Sequence, residues 1–153
     1  MTTKLKELIA NNPEIVYLRH EESMPTASHA SDALGIDASK IAKTCIIKTS
    51  NNEYVAVVLQ GSDRIDKDAL KTLLGCKKFS FASAEEVLEK SGYIAGGTPP
   101  IGLKEAIVRV ILDRKVFQHE KVYAGGGEQK ALICITPQDV QRLSHAEVAD
   151  ISC

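Results

Sequence analysis

The run Tyr54-Val55-Ala56-Val57-Val58-Leu59 is apolar at every position. Successive side chains of a strand point to opposite faces, so such a run has to be covered on both sides and belongs at the centre of a sheet. Helix signals lie before and after it. Thr26 can cap a helix that runs to Leu34 and stops at Gly35. Asp66 starts another, which buries Leu70, Leu73 and Leu74 and ends at Gly75. Ser83-Ala84-Glu85-Glu86 has the capping-box pattern, in which Ser83 and Glu86 each satisfy a free backbone N–H; that helix ends near Gly92. Thr2 or Thr3 can cap a first helix stopped by Asn11-Asn12-Pro13, and Thr136-Pro137 opens the last one.

Short β-branched or aromatic runs fall between these helices: Ile15–His20, Thr44–Lys48, Lys78–Phe81, Ile107–Leu112 and Ala131–Ile135, with Val122-Tyr123 and Val148–Ile151 shorter. Asn51-Asn52 reads as a hairpin turn, which makes Thr44–Lys48 and Tyr54–Leu59 antiparallel neighbours. With no repeat and no linker, residues 1–153 read as one mixed α/β domain.

Charge narrows the function classes. Nineteen Lys and Arg against twenty Asp and Glu leave a net charge of -1, which argues against a polybasic DNA binder. No apolar run approaches the roughly 18 residues of a membrane span, and the N-terminus has no signal-peptide core. The expectation is a cytoplasmic protein without a membrane partner. Cys45, Cys76, Cys134 and Cys153 are scattered, with no C-x-x-C pair, so reduced thiols and no structural metal are expected. His119-Glu120 opens like a zinc-protease helix, but Tyr123 stands where the second His is needed. No cofactor is expected.

Few residues could carry chemistry. Lys43 precedes the run Thr44-Cys45-Ile46-Ile47 and shares a strand face with Cys45 and Ile47. With that face inward, Lys43 sits at the mouth of the core, where a charge needs a partner or a ligand. The alternative is a solvated strand-end lysine whose stem crosses apolar surface. Gly96-Gly97-Thr98-Pro99-Pro100-Ile101-Gly102 is too rich in Gly and Pro for helix or central strand. It is either a connecting loop or one that presents backbone amides to a carbonyl oxygen or phosphate. Gly125-Gly126-Gly127 lacks the Lys-Ser/Thr of a phosphate loop and reads as a tight turn between strands. Asp113 ends one strand and His20 another. There is no Gly-x-Ser-x-Gly elbow, and Cys45 becomes a thiolate only if the nearby ammonium outweighs burial.

In order and spacing these pieces resemble the YbaK / prolyl-tRNA synthetase-associated domain family of aminoacyl-tRNA editing domains. The resemblance runs from His20 to Ile151. It rests on Thr26…Ala33-Leu34-Gly35-Ile36, Ile41-Ala42-Lys43-Thr44, Gly92-Tyr93…Gly96-Gly97-Thr98-Pro99-Pro100-Ile101-Gly102, Asp113, Val122-Tyr123…Gly125-Gly126-Gly127 and Val148-Ala149-Asp150-Ile151. It implies a single compact α/β domain, with a curved mixed β-sheet and surrounding helices.

It also implies a free-standing trans-editing hydrolase that deacylates mischarged aminoacyl-tRNA, with Ala- or Cys-tRNA(Pro) as the expected substrate. The partners would be the aminoacyl-tRNA 3′ end and, as a second candidate, prolyl-tRNA synthetase. By the same resemblance Lys43 and Gly96 are catalytic. His20, Thr44, Gly97, Thr98, Pro99, Pro100, Ile101, Asp113, Gly125, Gly126 and Gly127 line the substrate site. Three departures stand out: Cys45 in place of an aliphatic residue, Thr98-Pro99 within the loop, and Glu128-Gln129 where relatives often carry basic residues. The near-neutral charge keeps a second reading open, a non-catalytic module that binds an aminoacyl-tRNA 3′ end, an amino acid or a nucleotide.

Overall fold

The computed structural model describes residues 3–153. Its helices are α1 (Thr3–Asn11), α2 (Ala27–Leu34), α3 (Lys67–Leu74), α4 (Ala84–Ser91) and α5 (Pro137–Ser144). Its strands are β1 (Val16–Arg19), β2 (Ile41–Thr49), β3 (Tyr54–Gln60), β4 (Phe79–Phe81), β5 (Ile107–Asp113), β6 (Val122–Gly125), β7 (Ala131–Ile135) and β8 (Glu147–Ala149). Side-chain caps on Thr26, Asp66, Ser83 and Thr136 start four of the helices, and Gly35, Gly75 and Gly92 end three in the left-handed region. Thr3 is already helical, and Thr2 lies outside the described residues.

One sheet carries the strands in the order β1-β7-β6-β2-β3-β5-β8, with β4 added beside β2. The β2–β3 hairpin turns at Asn52, whose φ of 61° is the left-handed geometry that Asn tolerates. Parallel pairing of β3 with β5 and of β2 with β6 makes the sheet mixed. The run Tyr54–Leu59 is indeed central. Ala56 and Val58 pack into a large core with Leu5, Val87 and Val140, which belong to α1, α4 and α5. Val55, Val57 and Leu59 face a second core closed by Leu70 of α3 and Ile111.

Two boundaries differ from the sequence reading. The strand expected at Thr44–Lys48 begins at Ile41, because β6 pairs with Ile41 and Ala42. Lys43 therefore lies inside the strand rather than ahead of it. The strand expected at Val148–Ile151 covers Glu147–Ala149, after which the chain crosses to bridge Ser152 with Ile65.

Candidate functional site

The site starts from a gap beside β2. On that edge β6 covers Ile41 and Ala42, and β4 covers Ile47 to Thr49. Between them no strand of the described residues stands. The Gly61 N–H donates to the Ile41 carbonyl at 2.7 Å, which sets the phase of the β2–β3 ladder. Lys43 and Cys45 exchange bonds with β3, whereas Ala42, Thr44 and Ile46 turn their N–H and C=O the other way. Ile46 accepts from the Ala82 N–H. Thr44 faces the gap, which opens into a cavity of about 380 Å³.

The cavity brings together Lys43, Thr44, Gly96, Thr98 and Gly125 of the residues expected from sequence. Lys43 is half-buried, and its Nζ donates to the Asp63 carbonyl at 2.6 Å and the Gly61 carbonyl at 3.3 Å. Among the described residues no carboxylate pairs with it, and no Asp or Glu lines the cavity. Neutral carbonyls position the ammonium without cancelling its charge, and one of its three donors remains for a ligand. Thr44 Oγ1 is the one buried side-chain polar atom without a partner among the described residues. The Cys45 thiol is pushed up by burial, with Lys43 pulling the other way to a smaller extent, so the thiol stays protonated.

Opposite β2, the two glycine-rich segments meet backbone to backbone. A Cβ on Gly97 would fall 2.7 Å from the Glu128 carbonyl carbon, and one on Gly125 would collide with the Thr98 carbonyl oxygen. The Gly127 N–H donates to the Gly97 carbonyl at 2.8 Å. Gly96 adopts φ 85° against the Pro25 carbonyl. Gln129 staples this corner: its Oε1 accepts from Ser23 Oγ at 2.9 Å, and its Nε2 donates to the Ala95 carbonyl at 3.1 Å. Of the loop's amides, that of Gly97 is committed to the Ile94 carbonyl, and Pro99 and Pro100 have none. The amides of Gly96 and Thr98 are the ones this wall can offer.

The remaining expected residues stand elsewhere. His20 Nδ1 accepts from the Glu22 N–H at 3.1 Å. Gly97, Pro99, Gly126 and Gly127 do not line the cavity, and Pro100 and Ile101 border a separate cavity of about 200 Å³. Asp113 is 1% exposed, and both its oxygens are used, by the Ile151 N–H at 3.0 Å and by Ser152 Oγ at 2.7 Å.

Sequence reasoning read Thr26 as a helix cap but did not place the start of α2 at the site, where Thr26, Ala27 and Ser28 line the cavity. It also missed the apolar wall of Met24, Ala30, Ile41 and Leu132. Thr26 carried a usable signal, since a capped helix start offers unpaired N–H groups to an anion. Gly61 was missed as well; a Cβ there would lie 2.7 Å from both Ala27 Cβ and the Ala38 carbonyl oxygen.

The chain matches the aminoacyl-tRNA editing domain family over residues 21–143. A solved structure of the hypothetical protein APE2540 is 33% identical and superimposes with a TM-score of 0.89, covering 98% of this chain and 99% of that one. A second structure, described provisionally as a trans-editing enzyme for prolyl-tRNA synthetase, is 25% identical with a TM-score of 0.85, over 100% and 99% of the two chains. An Enterococcus faecalis protein provisionally named Cys-tRNA(Pro)/Cys-tRNA(Cys) deacylase EbsC is 24% identical over 127 residues, 83% of this chain and 77% of that one.

Proposed function

The chain belongs to the aminoacyl-tRNA editing domain family, and from that premise we propose that it acts in trans to hydrolyse mischarged Ala- or Cys-tRNA(Pro). The observation that carries this reading is Lys43, a cation held on two neutral carbonyls at the wall of an otherwise uncharged cavity. An ammonium so placed attracts an anion, and the 3′-terminal nucleotide supplies one. The start of α2 adds backbone N–H groups on the same side.

The aminoacyl ester then lies between β2 and the Gly96–Thr98 wall. Water, oriented by the neighbouring ribose hydroxyl of the substrate, attacks the ester carbonyl, and the amides of Gly96 and Thr98 stabilise the oxyanion. Its collapse releases the free amino acid and returns the proton to the ribose oxygen that leaves. The chain contributes no nucleophile, in keeping with a protonated Cys45. Thr44 Oγ1, otherwise orphaned, receives or donates a hydrogen bond from the aminoacyl group. Met24, Ala30 and Leu132 bound a space suited to a small side chain, and one methylene there is worth only about 1–3 kcal/mol of discrimination.

Single-turnover deacylation of tRNA(Pro) carrying Ala, Cys, Ser or Pro tests this. Rapid loss of the Ala or Cys ester with Pro-tRNA(Pro) spared is expected. Tight binding of all four without turnover would replace the hydrolase with a binding module, the reading that the net charge of -1 keeps open.

A further inference from the structure

Gln60 ends β3 with only 6% of its surface exposed, and its side chain does not reach the cavity. Its buried amide is satisfied in both directions. His119 Nε2 stands 2.6 Å from Gln60 Oε1, and Gln60 Nε2 donates to Asp63 Oδ2 at 2.9 Å. Because Gln60 Nε2 is the donor toward Asp63, Oε1 is the acceptor and His119 Nε2 must carry a hydrogen. The Asp63 N–H also returns to the Gln60 carbonyl at 3.0 Å, so the turn over residues 60–63 is closed by backbone and side chain together. The Gly61 and Asp63 carbonyls that receive Lys43 Nζ belong to this turn.

We propose that Gln60 is a positioning residue for Lys43: with His119 it locks the 60–63 turn, and the turn's carbonyls aim the ammonium into the cavity. The inference rests on the deacylase reading. A lysine without fixed acceptors samples many rotamers, and a misplacement of about 1 Å in a positioning group can cost about 100-fold in rate. The loss falls on kcat more than on KM, because the chain still folds and the rest of the cavity still binds.

The polarity of the chain of bonds supplies the test. Gln60→Glu is nearly isosteric but sets a carboxylate against Asp63, which should swing the turn open and lower single-turnover deacylation at least tenfold. Asp63→Asn alone keeps an oxygen to accept from Gln60 and should stay within about twofold of wild type. The double variant Gln60→Glu/Asp63→Asn restores every bond, since the amide introduced at position 63 would donate where the Asp63 carboxylate accepted, and should recover most of the activity. Melting temperatures are measured alongside, and Lys43→Ala is run in parallel. Full activity in Gln60→Glu with an inactive Lys43→Ala would overturn the positioning role and leave the deacylase reading standing. Full activity in Lys43→Ala would remove that reading itself. Should Gln60→Glu not fold, the half-exposed His119→Ala carries the same test: a several-fold fall in kcat supports the lock, and an unchanged kcat refutes it.

Discussion

At the scale of single residues, Thr44 separates stability from function most cleanly. Its hydroxyl makes no hydrogen bond, so Thr44→Val removes a buried polar group and breaks no contact. The variant should be as stable as wild type, or more stable by up to about 1 kcal/mol in urea unfolding, while deacylating more slowly. A destabilised but fully active variant would contradict the role given to this hydroxyl.

Glu86 shows the reverse, a residue whose electrostatics serve structure alone. The Tyr54 hydroxyl and the Ser83 N–H both donate to its carboxylate, which is held down to about 2, while the Tyr54 hydroxyl is pushed up to about 12. Glu86 therefore contributes stability above its ordinary value of 4.5, and that contribution disappears as the pH falls from there toward 2. Tyr54 contributes below 10 and ceases to as the pH rises through 12. In an NMR titration the Glu86 carboxyl should have its midpoint well below that of exposed glutamates. Glu86→Gln should flatten the acid limb of the stability curve.

Among the elements, the C-terminal segment sets the limits of what is read from sequence. Sequence marks Asp113 as a strand-end residue, and the family resemblance implies a place for it in the substrate site. Its carboxylate instead receives the Ile151 N–H and Ser152 Oγ, and this segment pairs onward with Arg64, Ile65 and Asp66. Asp113 thus anchors the segment that pairs with residues 64–66, which follow directly on the turn that holds Lys43. Asp113→Ala leaves these buried donors unmet and should cost about 1–3 kcal/mol of unfolding free energy. Equilibrium denaturation with intact stability would contradict this.

The helices were legible for a local reason. Thr26, Asp66, Ser83 and Thr136 cap through bonds to residues within three positions, so the signal lies within one turn of chain. The glycines of the two loops were legible as special, but the contact between the two segments was not. Gly97 and Gly125 lack a positive φ; what their positions require is the absence of a Cβ where two backbones touch.

In the whole molecule, the site follows from the order of the strands. Local periodicity identifies β2 and β3 but says nothing of β6 covering two residues of β2 and β4 covering three. That unequal cover leaves Thr44 facing open space. It also gathers residues as distant in the chain as Met24, Lys43, Gly96 and Leu132 around one cavity. No window of sequence holds these together, which explains why the apolar wall, Gly61 and the Gln60 lock escaped notice while Lys43 and Gly96 did not. No helix of the described residues is long and apolar enough to cross a membrane.

The central claim is that a carbonyl-anchored ammonium at this gap drives ester hydrolysis. Its most direct measurement is single-turnover deacylation of Ala- and Cys-tRNA(Pro) by wild type and Lys43→Ala, with folding of both verified by circular dichroism. The account predicts a folded variant at least about 100-fold slower on whichever ester the wild type removes. A folded Lys43→Ala that deacylates at the wild-type rate would contradict it.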